Sequence, residues 1–76
     1  MSKRTTVVLT AWRADLQTID LVKLLRRFGG VDLREAKRLV ESLVDGEMVA
    51  VQVLVEDEAE LVRLAREAGA IIDRSS

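Results

Sequence analysis

Four valines, Val49, Val51, Val53 and Val55, recur at every second residue of the uncharged run Met48-Val49-Ala50-Val51-Gln52-Val53-Leu54-Val55. A period of two places the valines on one face of a strand and Ala50, Gln52 and Leu54 on the other. Such a strand cannot stand alone. Its backbone N–H and C=O groups need partners on neighbouring strands, and its valine face needs a covering layer. The remaining residues of a 76-residue chain have to supply both.

Two other segments have strand character. Thr5-Thr6-Val7-Val8-Leu9-Thr10 is rich in β-branched residues, and Ala70-Ile71-Ile72-Asp73 is a short apolar run behind Gly69. Between them the apolar period becomes helical. From about Leu16, the residues Leu21, Leu24, Leu25 and Phe28 fall at i, i+3, i+4 and i+7, and Gly29-Gly30 ends that helix. Asp32-Leu33-Arg34-Glu35 has capping-box spacing and opens a second helix, with Leu33, Ala36, Val40 and Leu43 as its buried stripe. Asp45-Gly46 is the turn before the valine strand. Glu56-Asp57-Glu58 puts three acids in the first turn of a third helix, where the helix dipole favours them, and Leu61, Leu64, Ala65 and Ala68 make its stripe. Residues 74–76 read as a tail. The order is β-α-α-β-α-β, with the first strand slotted between the other two and antiparallel to both. The expected fold is α+β, a two-layer sandwich of three helices on one face of a three-stranded, mostly antiparallel sheet, as a single domain over 1–76 with a core of about 5–73.

The chain contains no Cys and no His. That removes thiol nucleophiles, disulfide frameworks, thiolate or imidazole metal sites and imidazole acid–base catalysis. The carboxylates fall in helix first turns or beside basic residues, so caps and surface pairs account for them. Glu56-Asp57-Glu58 lacks the spaced ligands and central glycine of a calcium loop. Gly29-Gly30 follows a helix and is not a phosphate loop. No enzyme activity, metal or cofactor is expected. No run approaches the ~18 apolar residues of a membrane span, and Val7-Val8-Leu9 is too short for a signal-peptide core. The expected compartment is the cytoplasm.

The net charge of −1 conceals an asymmetry. Residues 1–38 carry nine basic and four acidic residues, a balance of +5; residues 39–76 carry three basic and nine acidic ones, a balance of −6. A dipolar chain of this kind suits either a basic face that meets an acidic partner or a solvated surface laced with salt bridges. The first helix shows where. At ~100° per residue its core stripe occupies one arc, whereas Ile19 and Val22 lie on a neighbouring side, next to Lys23 and Arg26. A second apolar strip edged with cations is the pattern of a helix-in-groove docking site; the competing expectation is that Ile19 and Val22 are hidden against the second helix. That helix adds Arg34, Lys37 and Arg38 on one flank. Trp12, the only tryptophan, stands directly after the first strand, where it either covers the end of the core or meets a partner, the structural role being favoured. With only Trp12 and Phe28 as aromatics, no stacking platform points to nucleic acid.

Ile19-Asp20-Leu21-Val22-Lys23-Leu24-Leu25-Arg26, Leu33-Arg34-Glu35-Ala36-Lys37-Arg38-Leu39-Val40-Glu41-Ser42 and Ala65-Arg66-Glu67-Ala68-Gly69-Ala70 together resemble the C-terminal domain of the bacterial ribosomal stalk protein, L-seven/L-twelve, over about residues 17–73. The resemblance departs at Thr18 and Asp32, and it covers neither the dimerisation domain nor the hinge of that family. It implies the same β-α-α-β-α-β order and a docking face for translational GTPases or other ribosome-associated factors on the first two helices. Carried over by position, that face comprises Ile19, Val22, Lys23 and Arg26, with Leu33 and Lys37 across the helix turn; Arg34, from the basic flank of the second helix, completes the expected docking face. The adaptor of the Clp protease is similar in fold, which implies a Clp ATPase as the alternative partner. Its substrate pocket needs an Asn-Asp pair and a histidine, where this chain has Thr10-Ala11-Trp12-Arg13 and no His. Pairing of a free strand edge, that of the last strand, would make a homodimer.

Overall fold

The structure is a computed structural model that describes residues 3–73; the expected tail at 74–76 lies outside the described residues. Its elements are β1 (Arg4–Trp12), α1 (Thr18–Gly29), α2 (Leu33–Val44), β2 (Val49–Leu54), a single 3-10 turn (Val55–Asp57), α3 (Glu58–Glu67) and β3 (Ala70–Asp73). The expected α+β class and element order hold. The sheet runs β2-β1-β3, and β1 pairs antiparallel with both neighbours.

The period-two pattern sets the sheet's two faces. Val49, Val51 and Val53 are buried and lie opposite Leu9, Val7 and Thr5, while Ala50 and Gln52 are exposed on the other face. Val55, expected on the buried face, is 51% exposed. The chain leaves the sheet after Leu54, so the alternation no longer decides where residue 55 points. The buried strand residues join Leu21 and Leu25 of α1, Ala36, Val40 and Leu43 of α2, and Leu61, Val62 and Ala65 of α3 in one apolar cluster. Among the described residues, no polar or charged side chain is buried.

Several boundaries and stripes differ from the sequence reading, each for a local reason. β1 runs on to Trp12 because an irregularity between Leu9 and Ala11 lets pairing with β3 continue. α1 begins at Thr18, with Gln17 as N-cap, because Leu16 and Gln17 are held in a loop: Leu16 N–H donates to Arg13 O (3.0 Å) and Gln17 N–H to Ala68 O (2.7 Å). Asp32 caps α2 as expected, its Oδ1 accepting from Glu35 N–H at 2.8 Å. Leu33, placed by periodicity on the buried stripe of α2, is 43% exposed at the first position of that helix. In α3 the acids at 56 and 57 belong to the 3-10 turn, and Val62 is buried whereas Leu64 is only partly so. Leu24 and Phe28 likewise pack at the margin of the core.

The C-terminal end of α3 fixes the start of α1. The carbonyls left open at a helix end are taken up by the β1–α1 loop. Arg13 N–H donates to Gly69 O (2.8 Å), and the Arg13 guanidinium donates from Nη2 to Arg66 O (2.8 Å). Gly69 has φ +105°, and a Cβ there would lie 2.7 Å from Leu16 Cα. Gly69→Ala is therefore expected to lower unfolding free energy by about 2–4 kcal/mol, combining a left-handed backbone with a backbone clash. Gly30→Ala, at φ +67° with nothing within 4 Å, is expected to cost only about 1 kcal/mol. Chemical denaturation of the two variants measures both.

Candidate functional site

α1 and α2 form a hairpin across the short connection Gly30-Val31-Asp32. Because the two apolar strips of α1 face different ways, only the one carrying Leu21 and Leu25 enters the core. The second strip is left at the seam with α2, in a groove of about 620 Å³. α1 contributes Thr18, Ile19, Val22, Lys23 and Arg26; α2 and its end contribute Leu33, Lys37, Val40, Glu41, Val44 and Asp45. Ile19 is 71% exposed, and Val22 is partly buried at the groove floor, packed against the core. The expectation that the second helix hides both residues therefore fails for Ile19.

Six of the seven residues expected at a docking face, Ile19, Val22, Lys23, Arg26, Leu33 and Lys37, line this one groove. Arg34 does not. It lies on a smaller adjoining depression with Leu33, Lys37, Arg38 and Glu41. Sequence reasoning placed none of Thr18, Glu41, Val44 and Asp45 at this face, and it gave Val40 to the buried stripe of α2 alone. Val44 carried a signal: with Leu33 and Val40 of the expected stripe it falls at i, i+7 and i+11, so the apolar arc of α2 extends beyond the core to the groove.

The groove is electrically graded. Lys23, Arg26 and Lys37 lie along it toward the hairpin turn, while Glu41 and Asp45 lie where α2 ends. Among the described residues, the two ion pairs are Arg13–Asp15 and Arg63–Glu67, so the groove's cations carry no carboxylate within pairing distance. Among the same residues, no cluster of three or more Asp or Glu side chains is placed to hold a metal ion, and no helix is long and apolar enough to cross a membrane.

Trp12 reaches this site indirectly. The irregularity after Leu9 shifts the alternation of β1, so that Trp12 is paired with buried Ala70. The indole Nε1–H donates to Val44 O at 3.1 Å, tying the end of β1 to the last turn of α2, where Val44 itself lines the groove. The favoured structural role of Trp12 fits this contact, with the ring still 38% exposed. No family model matches the chain, and neither a curated protein nor a solved structure matches it. Trp12→Phe keeps an aromatic ring and removes only the donor. It is expected to cost about 1 kcal/mol in denaturant unfolding, and to shift the backbone amide resonances around Val44 in two-dimensional NMR spectra while those around Leu33 stay in place.

Proposed function

We propose that the domain is a non-enzymatic docking module that holds an acidic and apolar segment of a protein partner in the groove between α1 and α2. The observation that carries this reading is Ile19: a large aliphatic side chain, 71% exposed, at the rim of an apolar groove edged by Lys23, Arg26 and Lys37. Leaving an isoleucine in water forgoes the transfer free energy that burial would return, and docking a partner recovers it. The three cations steer an acidic partner to the site, and the aliphatic residues hold it once water is expelled.

The resemblance to the ribosomal stalk domain narrows the partner to a translational GTPase or another ribosome-associated factor. It also implies the finer architecture, a two-layer sandwich in which three helices cover one sheet face. The face comprises Ile19, Val22, Lys23, Arg26, Leu33 and Lys37, with Arg34 at its margin, and the cytoplasm is the compartment in which such a partner is met.

The test is calorimetric titration of purified bacterial translational GTPases into the domain. Ile19→Asp combined with Lys23→Glu is expected to weaken binding at least 30-fold, about 2 kcal/mol, at unchanged far-UV circular dichroism, because both side chains project into solvent. Association is also expected to slow as salt rises. Wild-type protein that binds no translational GTPase, or a variant that binds as wild type does, overturns the proposal. Binding to a Clp ATPase instead would assign the groove to the adaptor class.

A further inference from the structure

The edge of β2 is unusual for a folded domain. The pair Lys3 and Val55 is hydrogen-bonded, Val55 N–H donating to Lys3 O at 2.9 Å. Pairs alternate along an antiparallel ladder, so with the register Arg4–Leu54 to Leu9–Val49 the residues Val53, Val51 and Val49 also turn their backbone groups toward β1. Ala50, Gln52 and Leu54 therefore turn their N–H and C=O groups outward, to the free side of β2. Among the described residues, no turn, loop or side chain bonds to those groups. Folded proteins ordinarily blunt such an edge with a lysine, a proline, a bulge or a very short strand. β3, the other edge, is four residues long. β2 spans six residues and contains none of those devices.

We infer that β2 pairs with β2 of a second copy of this chain, antiparallel about a two-fold axis through Gln52, joining two sheets into one of six strands. Three features favour a second copy over a foreign strand. The outward residues are self-complementary: Gln52 meets Gln52 of the second copy and Ala50 meets its Leu54, with two backbone bonds at each facing pair. No charge lies between Glu47 and Glu56, so the strands approach without burying an ion. An exposed apolar side chain beside β2 also gains cover: Met48, 71% exposed, comes diagonal to Leu54 of the second copy. This differs from a dimer through the last strand, the edge singled out by sequence. No β2 residue lines the α1–α2 groove, so the two surfaces use separate residues.

The acids at the ends of β2, Glu47 and Glu56-Asp57-Glu58, gather across the join. Pairing therefore strengthens as salt screens them. A foreign strand chosen by charge would be basic at its ends, and its binding would weaken with salt.

Sedimentation velocity from micromolar to about 1 mM chain tests this, a range set by the small interface that one strand pair forms. A monomer–dimer equilibrium that shifts toward dimer with salt is expected. The amide protons of Ala50, Gln52 and Leu54 should exchange more slowly as protein concentration rises. Gln52 is exposed, and Gln52→Lys sets two like charges face to face at the axis, which is expected to raise the dissociation constant about fivefold or more. Gln52→Glu should do the same, and an equimolar mixture of the two variants should dimerise at least as well as wild type. A chain that stays monomeric throughout, a dimer indifferent to both substitutions, or a mixture no better than either variant alone overturns the inference.

Discussion

Gly69 and the loop that lies against it hold the two halves of the molecule in place. Leu16 approaches so closely that any side chain at 69 would meet its backbone, and the adjoining carbonyls of Arg66, Ala68 and Gly69 bind the loop through Arg13 and Gln17. This contact joins the end of the third helix to the start of the first. It decides where α1 begins, hence which of its residues meet the sheet and which are left at the seam with α2. The groove thus depends on backbone packing against the loop that precedes α1.

The second determinant is the central strand. β1 is the partner of both other strands, and the irregularity after Leu9 turns its last residue toward the helices. Without that extra residue, strict alternation would send Trp12 to the sheet face that carries exposed Ala50 and Gln52. With it, the indole reaches the last turn of α2 and holds one wall of the groove. Gly69 sets the α1 wall and Trp12 the α2 wall, and both work through backbone groups.

Much of this was legible in the residues. The valine alternation identified β2 and its buried face. The Asp32–Glu35 spacing identified the cap of α2. The two apolar strips of α1 picked out Ile19, Val22, Lys23 and Arg26 from periodicity alone, because a helix repeats every 3.6 residues and a strip outside the core arc is visible at once. Periodicity erred at element ends, where it has too few residues to act on: Leu33 at the start of α2, Val55 past the end of β2, and the 3-10 turn before α3. It also gave Val40 to the core alone and passed over Val44, since a helix that already has a core stripe draws no attention to that stripe's margin.

Taken alone, the amino-acid sequence determined the element order, the α+β class and the surplus apolar strip on α1. These follow from short-range periodicity and from residue chemistry, which act along the chain and need no knowledge of its neighbours. Only the tertiary structure decided that Ile19 stays in water, that Arg34 stands apart from the other basic residues of the groove, that Trp12 braces α2, and that the outward N–H and C=O groups of β2 belong to Ala50, Gln52 and Leu54. Each of those depends on a register or a close backbone approach between segments distant in sequence. A shift of one residue in strand pairing reverses which groups face outward, and hydrophobic pattern alone assigns faces without assigning partners.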